Sequence, residues 1–90
     1  MRFEKAQIVR SLRGHDSGTL YCVLDAEGDR LLLADGKRRR VSRPKRKNGV
    51  HVALVGGVEH PTLEKVRSGQ SVGDRELRCA LAQIRDRMEV

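Results

Sequence analysis

The sequence predicts a mainly β protein, a small five-stranded barrel with a C-terminal helical extension. Three observations carry that expectation. The longest apolar stretches are only five residues, Leu20 to Leu24, and four, Leu31 to Ala34, lengths that suit strands. Turn signals follow one another at short, even spacing through the first half, and Asp-Gly and Asn-Gly mark hairpins because type I′ turns need positive φ at both central positions. After Gly56-Gly57 the apolar residues take up helical spacing instead. Residues 1–57 are therefore expected to form the barrel, and residues 58–90 a helical extension packed on it, in one structural domain.

Gln7–Leu12 reads as the first strand, closed by Arg13-Gly14-His15-Asp16-Ser17-Gly18. Ala26-Glu27-Gly28-Asp29 separates a second strand, Leu20–Asp25, from a third, Arg30–Ala34. Asp35-Gly36 then turns the chain into a fourth, Lys37–Arg43, and Asn48-Gly49 leads into a fifth, Val50–Val55. Five short strands joined by tight turns make a meander, and at this length it should curl into a barrel that hides its edges. Alternation assigns the faces. Val41 points inward, Arg38, Arg40 and Ser42 point outward, and Arg39 and Arg43 flank the rims. Val50, Val52 and Leu54 share one face and leave His51 on the other. Pro44 cannot donate to a ladder, so the fourth strand lies at an edge or ends there.

Pro61–Arg67 is compatible with a short helix that has proline in its first turn and ends at Ser68-Gly69. A second helix begins at Gly73 or Asp74, with Glu76 placed for a capping box if Gly73 is the cap. Leu77, Leu81, Ile84 and Met88 form one apolar stripe, expected to pack against the open side of the barrel. Arg78, Arg85 and Arg87 between them read as solvated.

The net charge of +7 resides entirely in the first half: residues 1–48 carry thirteen Lys or Arg against six Asp or Glu, and residues 49–90 carry six against six. Lys37, Arg38, Arg39, Arg40, Arg43, Lys45, Arg46 and Lys47 supply eight of the thirteen with no acid between them. So clustered an excess is the electrostatic footprint of a nucleic-acid binder. Cations on an edge strand also guard against aggregation, a role that accounts for a few of them but not eight. Arginine dominates, and its planar fork suits bidentate phosphate contacts. Asn48 closes the run, and His51, opposite the apolar face, joins the candidate RNA contacts. Phe3 and Tyr21 are the two aromatic residues, and Tyr21 is expected in the core. Single-stranded RNA is usually read by stacking on exposed aromatics, so folded RNA recognised by its backbone is the expected partner.

Other classes find no support. Nothing resembles a signal peptide, and no apolar run approaches the roughly 20 residues that span a bilayer, so a cytoplasmic chain without a membrane partner is expected. Cys22 and Cys79 are too few and too distant for a disulfide framework. His15-Asp16-Ser17 holds the residue types of a nucleophilic triad, but sequence neighbours cannot adopt its relayed geometry. Gly36-Lys37 lacks the other residues of a P-loop, and three histidines with two cysteines show no zinc spacing. Neither a catalytic site, nor a metal, nor another cofactor is expected.

Gln7 to Leu24 resembles a KOW motif, with an apolar strand, a polar loop ending in glycine and a second apolar strand. Leu33-Ala34-Asp35-Gly36, the basic run through Pro44, His51-Val52, Lys65-Val66-Arg67-Ser68-Gly69 and Glu76-Leu77-Arg78 extend the likeness to the ribosomal protein L14e group and its short bacterial relatives. The resemblance covers nearly the whole chain. It implies an SH3-like barrel that binds RNA, often ribosomal RNA, with Arg13, His15 and Ser17 as donors on the nucleic-acid face. Ribosomal or translation-factor proteins would be further partners. The residues alone also allow Gly14 and Gly18 simply to make the turn, with Asp16 capping it. Two positions depart from the family pattern: Ala6 stands where glycine is usual, and Ser17 where a cation is common. An SH3-like protein-interaction module of the transcription or translation machinery is the reading from another class.

Overall fold

The computed structural model describes residues 3–56 and 58–88; Gly57, part of the expected break, lies outside them. Five strands appear in the order β1 (Ile8–Ser11), β2 (Leu20–Glu27), β3 (Arg30–Ala34), β4 (Lys45–Asn48) and β5 (Val52–Gly56), followed by the helices α1 (Pro61–Arg67) and α2 (Asp74–Met88). They form one antiparallel sheet in the order β4-β3-β2-β1-β5. β1 to β4 follow one another as a meander, as expected, but the fourth strand is Lys45–Asn48 and not the predicted Lys37–Arg43. β5 departs from the meander: it returns to pair with β1 instead of hairpinning with β4. The fold is mainly β, and among the described residues no ladder joins β4 to β5, so the sheet is not closed.

Curvature follows from the link between the two edges. A flat five-stranded sheet would hold its outer strands roughly 19 Å apart, at about 4.8 Å per neighbour. Asn48 and Val52 are joined by one 3₁₀ turn, Gly49–His51, which spans only about 8 Å at roughly 2 Å per residue. The sheet must therefore curl until its edges approach each other at that end. Asn48-Gly49 makes this turn rather than a hairpin. The Asn48 side chain accepts from Val50 N at 3.1 Å and caps it, while Gly49 lies so close to the Phe3 ring that a Cβ would sit 2.7 Å from it. Val50 is consequently exposed, as is Leu54, and of the three expected to share the buried face only Val52 is in the core.

The two unbroken apolar runs are explained by burial on both faces. Val9, Tyr21, Val23, Leu31, Leu33 and Val52 pack with Phe3 on the inside of the curl. Ile8, Leu20, Cys22 and Ala34 face the other way, onto Leu63 and Val66 of α1 and Leu77, Leu81 and Ile84 of α2. The helices thus cover the open side of the sheet as the apolar stripe suggests, although Met88 at its end is exposed. Burial pushes the Cys22 thiol up to about 12, so it is an inert core group. Both helix starts use side-chain caps: His60 Nδ1 accepts from Thr62 N ahead of Pro61, and Glu76 Oε1 accepts from Gly73 N, the one arm of the expected capping box that a glycine cap allows. Ala6, buried at the entry to β1, has φ +71°, a left-handed conformation that favours glycine. No helix among the described residues is long and apolar enough to cross a membrane.

Candidate nucleic-acid interface

The basic segment divides into two parts with different fates. Lys37–Arg43 is a loop, not the fourth strand; β4 begins only after Pro44. Asp35 is the reason the Asp-Gly signal does not make a hairpin. Its Oδ1 accepts from Lys37 N and from Arg39 N, both at 2.9 Å, so the chain folds round one carboxylate. The far end of the loop is tied to α2, where Asp74 Oδ1 accepts from Val41 N at 2.6 Å. Val41 turns inward as expected, but against the helix-side core. Lys37, Arg38, Arg39, Arg40, Ser42 and Arg43 are all exposed.

In β4 the alternation of Lys45 and Lys47 directs both side chains toward the Arg13–Gly18 loop, while Arg46 and Asn48 face outward, exposed. There Asp16 is the hub of a buried network. Its Oδ2 accepts from Tyr21 Oη at 2.8 Å and Lys45 Nζ at 2.6 Å, and its Oδ1 from Ser11 Oγ at 2.9 Å and Lys47 Nζ at 3.1 Å. Lys47 Nζ also donates to Ser11 Oγ and to the Arg13 carbonyl. Lys45 and Lys47 thus serve the fold as Asp16 counter-ions, and Asp16 does far more than cap a turn. Burial opposes ionisation of Asp16, but the hydrogen bonds from Lys45, Tyr21, Ser11 and Lys47 outweigh it and hold the carboxyl well below the usual range. Burial, then the Asp16 hydrogen bond and charge, raise Tyr21 above its ordinary value.

A pH dependence follows. Asp16 ionises more readily folded than unfolded, so its stabilisation is complete above the ordinary carboxylate value of 3.8 and is lost as the pH falls through and below that value. Thermal unfolding from about pH 5 to pH 2 is expected to show Tm falling more steeply in the native chain than in Asp16→Asn. Parallel profiles would remove Asp16 as the source.

Between the two loops and α2 lies a groove of about 590 Å³. His15, Ser17 and Thr19 line it from the first loop, Lys37 and Arg38 from the second, and Arg78, Ala82 and Arg85 from the helix, over a floor that includes Leu20 and Leu81. Arg38 Nη1 donates to Thr19 Oγ1 at 3.4 Å and ties the loops together. Among the described residues, none of the groove's four cations is in an ion pair, and its one carboxylate, Asp35, has an oxygen occupied by backbone N–H groups.

The sequence-derived candidates are thus only partly assembled. His15, Ser17, Lys37 and Arg38 share the groove, and Arg39, Arg40 and Arg43 continue the same loop. Arg13 is exposed on the neighbouring loop, where its carbonyl holds Lys47. Arg46 and Asn48 open onto a separate hollow beside Asp25 and Glu27, carboxylates that make it a poorer anion site. His51 sits in the 3₁₀ turn with Nδ1 buried and unpaired among the described residues, apart from the groove. Arg78 and Arg85 are exposed, as expected, and their seven-residue spacing places them on one helix face toward the groove.

Compared with known proteins, the chain matches no family model and no curated sequence.

Proposed function

We propose that the protein is a non-enzymatic binder of structured RNA that grips backbone phosphates with the Lys37–Arg43 loop and the adjoining groove. The observation that carries this reading is the convergence of Lys37, Arg38, Arg78 and Arg85 on one groove from two parts of the chain about 40 residues apart. Self-repulsion among such cations costs stability, and a polyanion relieves it. Phe3 and Tyr21 are both buried, which leaves no exposed Phe or Tyr ring for stacking and favours folded RNA. The resemblance to KOW proteins and the ribosomal protein L14e group makes ribosomal RNA, in the cytoplasm, the first partner to test. An SH3-like barrel is part of the same proposal, supported by the return of β5 to β1 and the curl it enforces.

Mobility shifts with ribosomal RNA, tRNA and duplex DNA across a salt series test it. Five phosphate contacts give a slope of about −4 in log K against log salt. Replacing Arg38, Arg39, Arg40 and Arg43 together by Gln is expected to lower affinity for structured RNA more than tenfold and to flatten the slope by about 3, with the fold intact by circular dichroism. Absence of sub-micromolar binding at low salt, or unchanged binding by the variant, would overturn the proposal. The protein-interaction reading finds one favouring observation in exposed Leu12, Val50 and Leu54 near the β1–β5 edge.

A further inference from the structure

We infer that the groove between the two loops and α2 receives a single unstacked nucleotide extruded from the bound RNA, an inference that rests on the RNA-binding reading above. Backbone phosphates alone need only an exposed row of cations, and Arg39, Arg40 and Arg43 already provide one on the loop surface. The groove offers something a row of cations does not. Its volume of about 590 Å³ falls within the roughly 300–1,000 Å³ of sites that enclose small organic ligands. Its chemistry is divided as a nucleotide is divided. Lys37 and Arg85 supply charge for the phosphate, while the exposed Ala82 and the aliphatic stems of Arg78 and Arg85 supply carbon for a base, with Leu20 and Leu81 almost fully buried beneath. The Thr19 hydroxyl and the His15 imidazole, which line it from the first loop, are hydrogen-bonding partners for base edges or a ribose, while the Ser17 hydroxyl is held by the Leu12 carbonyl. With both aromatic residues in the core, a base that leaves its stack has guanidinium planes to rest on, a role arginine fills, and Arg38 and Arg78 line the groove.

The walls are also set in advance of binding. Asp35 fixes the backbone of one loop, the Asp16 network fixes the other, and Arg38 to Thr19 joins them. A preformed recess lowers the ordering cost of taking in a flexible group. The energy of unstacking is smallest for a nucleotide that has no pairing partner, so the groove should select bulged over fully paired RNA.

The test uses the full chain and two RNA hairpins that differ by one unpaired nucleotide. The bulged hairpin is expected to bind at least tenfold more tightly. Ala82→Leu, on an exposed helical position and with a good helix former, narrows the groove from its helix wall and is expected to abolish that preference, with the fold intact by circular dichroism. Arg85→Gln is expected to reduce the preference at least threefold. A free ribonucleoside monophosphate is expected to bind at least a hundredfold more weakly than the bulged hairpin, and comparable affinity would make the groove a mononucleotide site and overturn its assignment to RNA. RNA binding without bulge preference, or a preference that survives both substitutions, overturns the inference and leaves the RNA-binding reading standing. No binding to either hairpin overturns both.

Discussion

Replacing Asp16 by asparagine is expected to destabilise the protein by about 3 kcal/mol, the low end of the cost of removing one partner from a buried ion pair. The side chain of Lys47 is only 9% exposed and that of Lys45 only 26%, so the lost carboxylate leaves two ammonium groups with little solvent. The partial exposure of Lys45 places the estimate at the low end, because that group can swing outward. For a domain of this size the loss corresponds to a fall in Tm of roughly 15 °C. Adding Lys47→Met to Asp16→Asn should recover about half of the loss, since an apolar chain of similar length removes the stranded charge. Urea unfolding of the single and double variants measures both quantities. A single-variant loss below about 1 kcal/mol would place the network among ordinary surface ion pairs.

Gly36→Ala is expected to cost a similar amount for an unrelated reason. Gly36 has φ +76°, and a Cβ there would stand 2.9 Å from the Asp74 carbonyl carbon and 3.0 Å from Arg78 N, closer still to the Asp74 oxygen. These are backbone atoms at the start of α2 and cannot turn aside. The conformational cost of about 1 kcal/mol adds to an overpacking cost of roughly 2 kcal/mol, giving about 3 kcal/mol in total. Gly28→Ala is the matching control: φ is +61°, but nothing lies within 4 Å of its added Cβ, so about 1 kcal/mol is expected. The difference between the two variants, read from urea midpoints at equal m, measures how firmly the arginine loop is seated on the helix. Equal losses would mean that the loop gives way, and the seating would be refuted.

These two residues also mark where the sequence stops being legible. Locally determined features were readable: the β2–β3 hairpin, proline opening α1, the Gly73–Glu76 cap and the Leu77, Leu81, Ile84 stripe each follow from residues within a few positions of one another. Even there the turn is tighter than predicted: β2 runs on to Glu27 and only Gly28-Asp29 turn the chain. The Asp35-Gly36 pair misleads because its meaning is set at a distance. Gly36 is glycine to admit a helix that begins 38 residues later, and Asp35 spends its carboxylate within the loop. Lys45 and Lys47 were equally opaque as phosphate candidates, since their partner lies about 30 residues upstream, although their alternation already put them on one face. What could be read of the site was its charge and the Arg13–Gly18 loop; what could not was that Lys37–Arg43 is itself a loop, nor the helix wall that turns the two into a groove.

The single turn that joins the two edges of the sheet also shapes the order in which the chain can assemble. Pairs between β1 and β2, such as Arg10 with Leu20, join positions ten apart, whereas Ser11 and Val52 meet across 41 residues. Two doublings of separation add only about 1.2 kcal/mol of closure entropy, a penalty that falls on the last strand alone. Because Gly49–His51 has no slack, β5 reaches β1 only once the preceding four strands have bent, and docking it fastens that bend. Curvature and the docking of β5 on β1 are therefore one cooperative event, and the groove's two loops, one on each side of β2 and β3, reach their final spacing in that step.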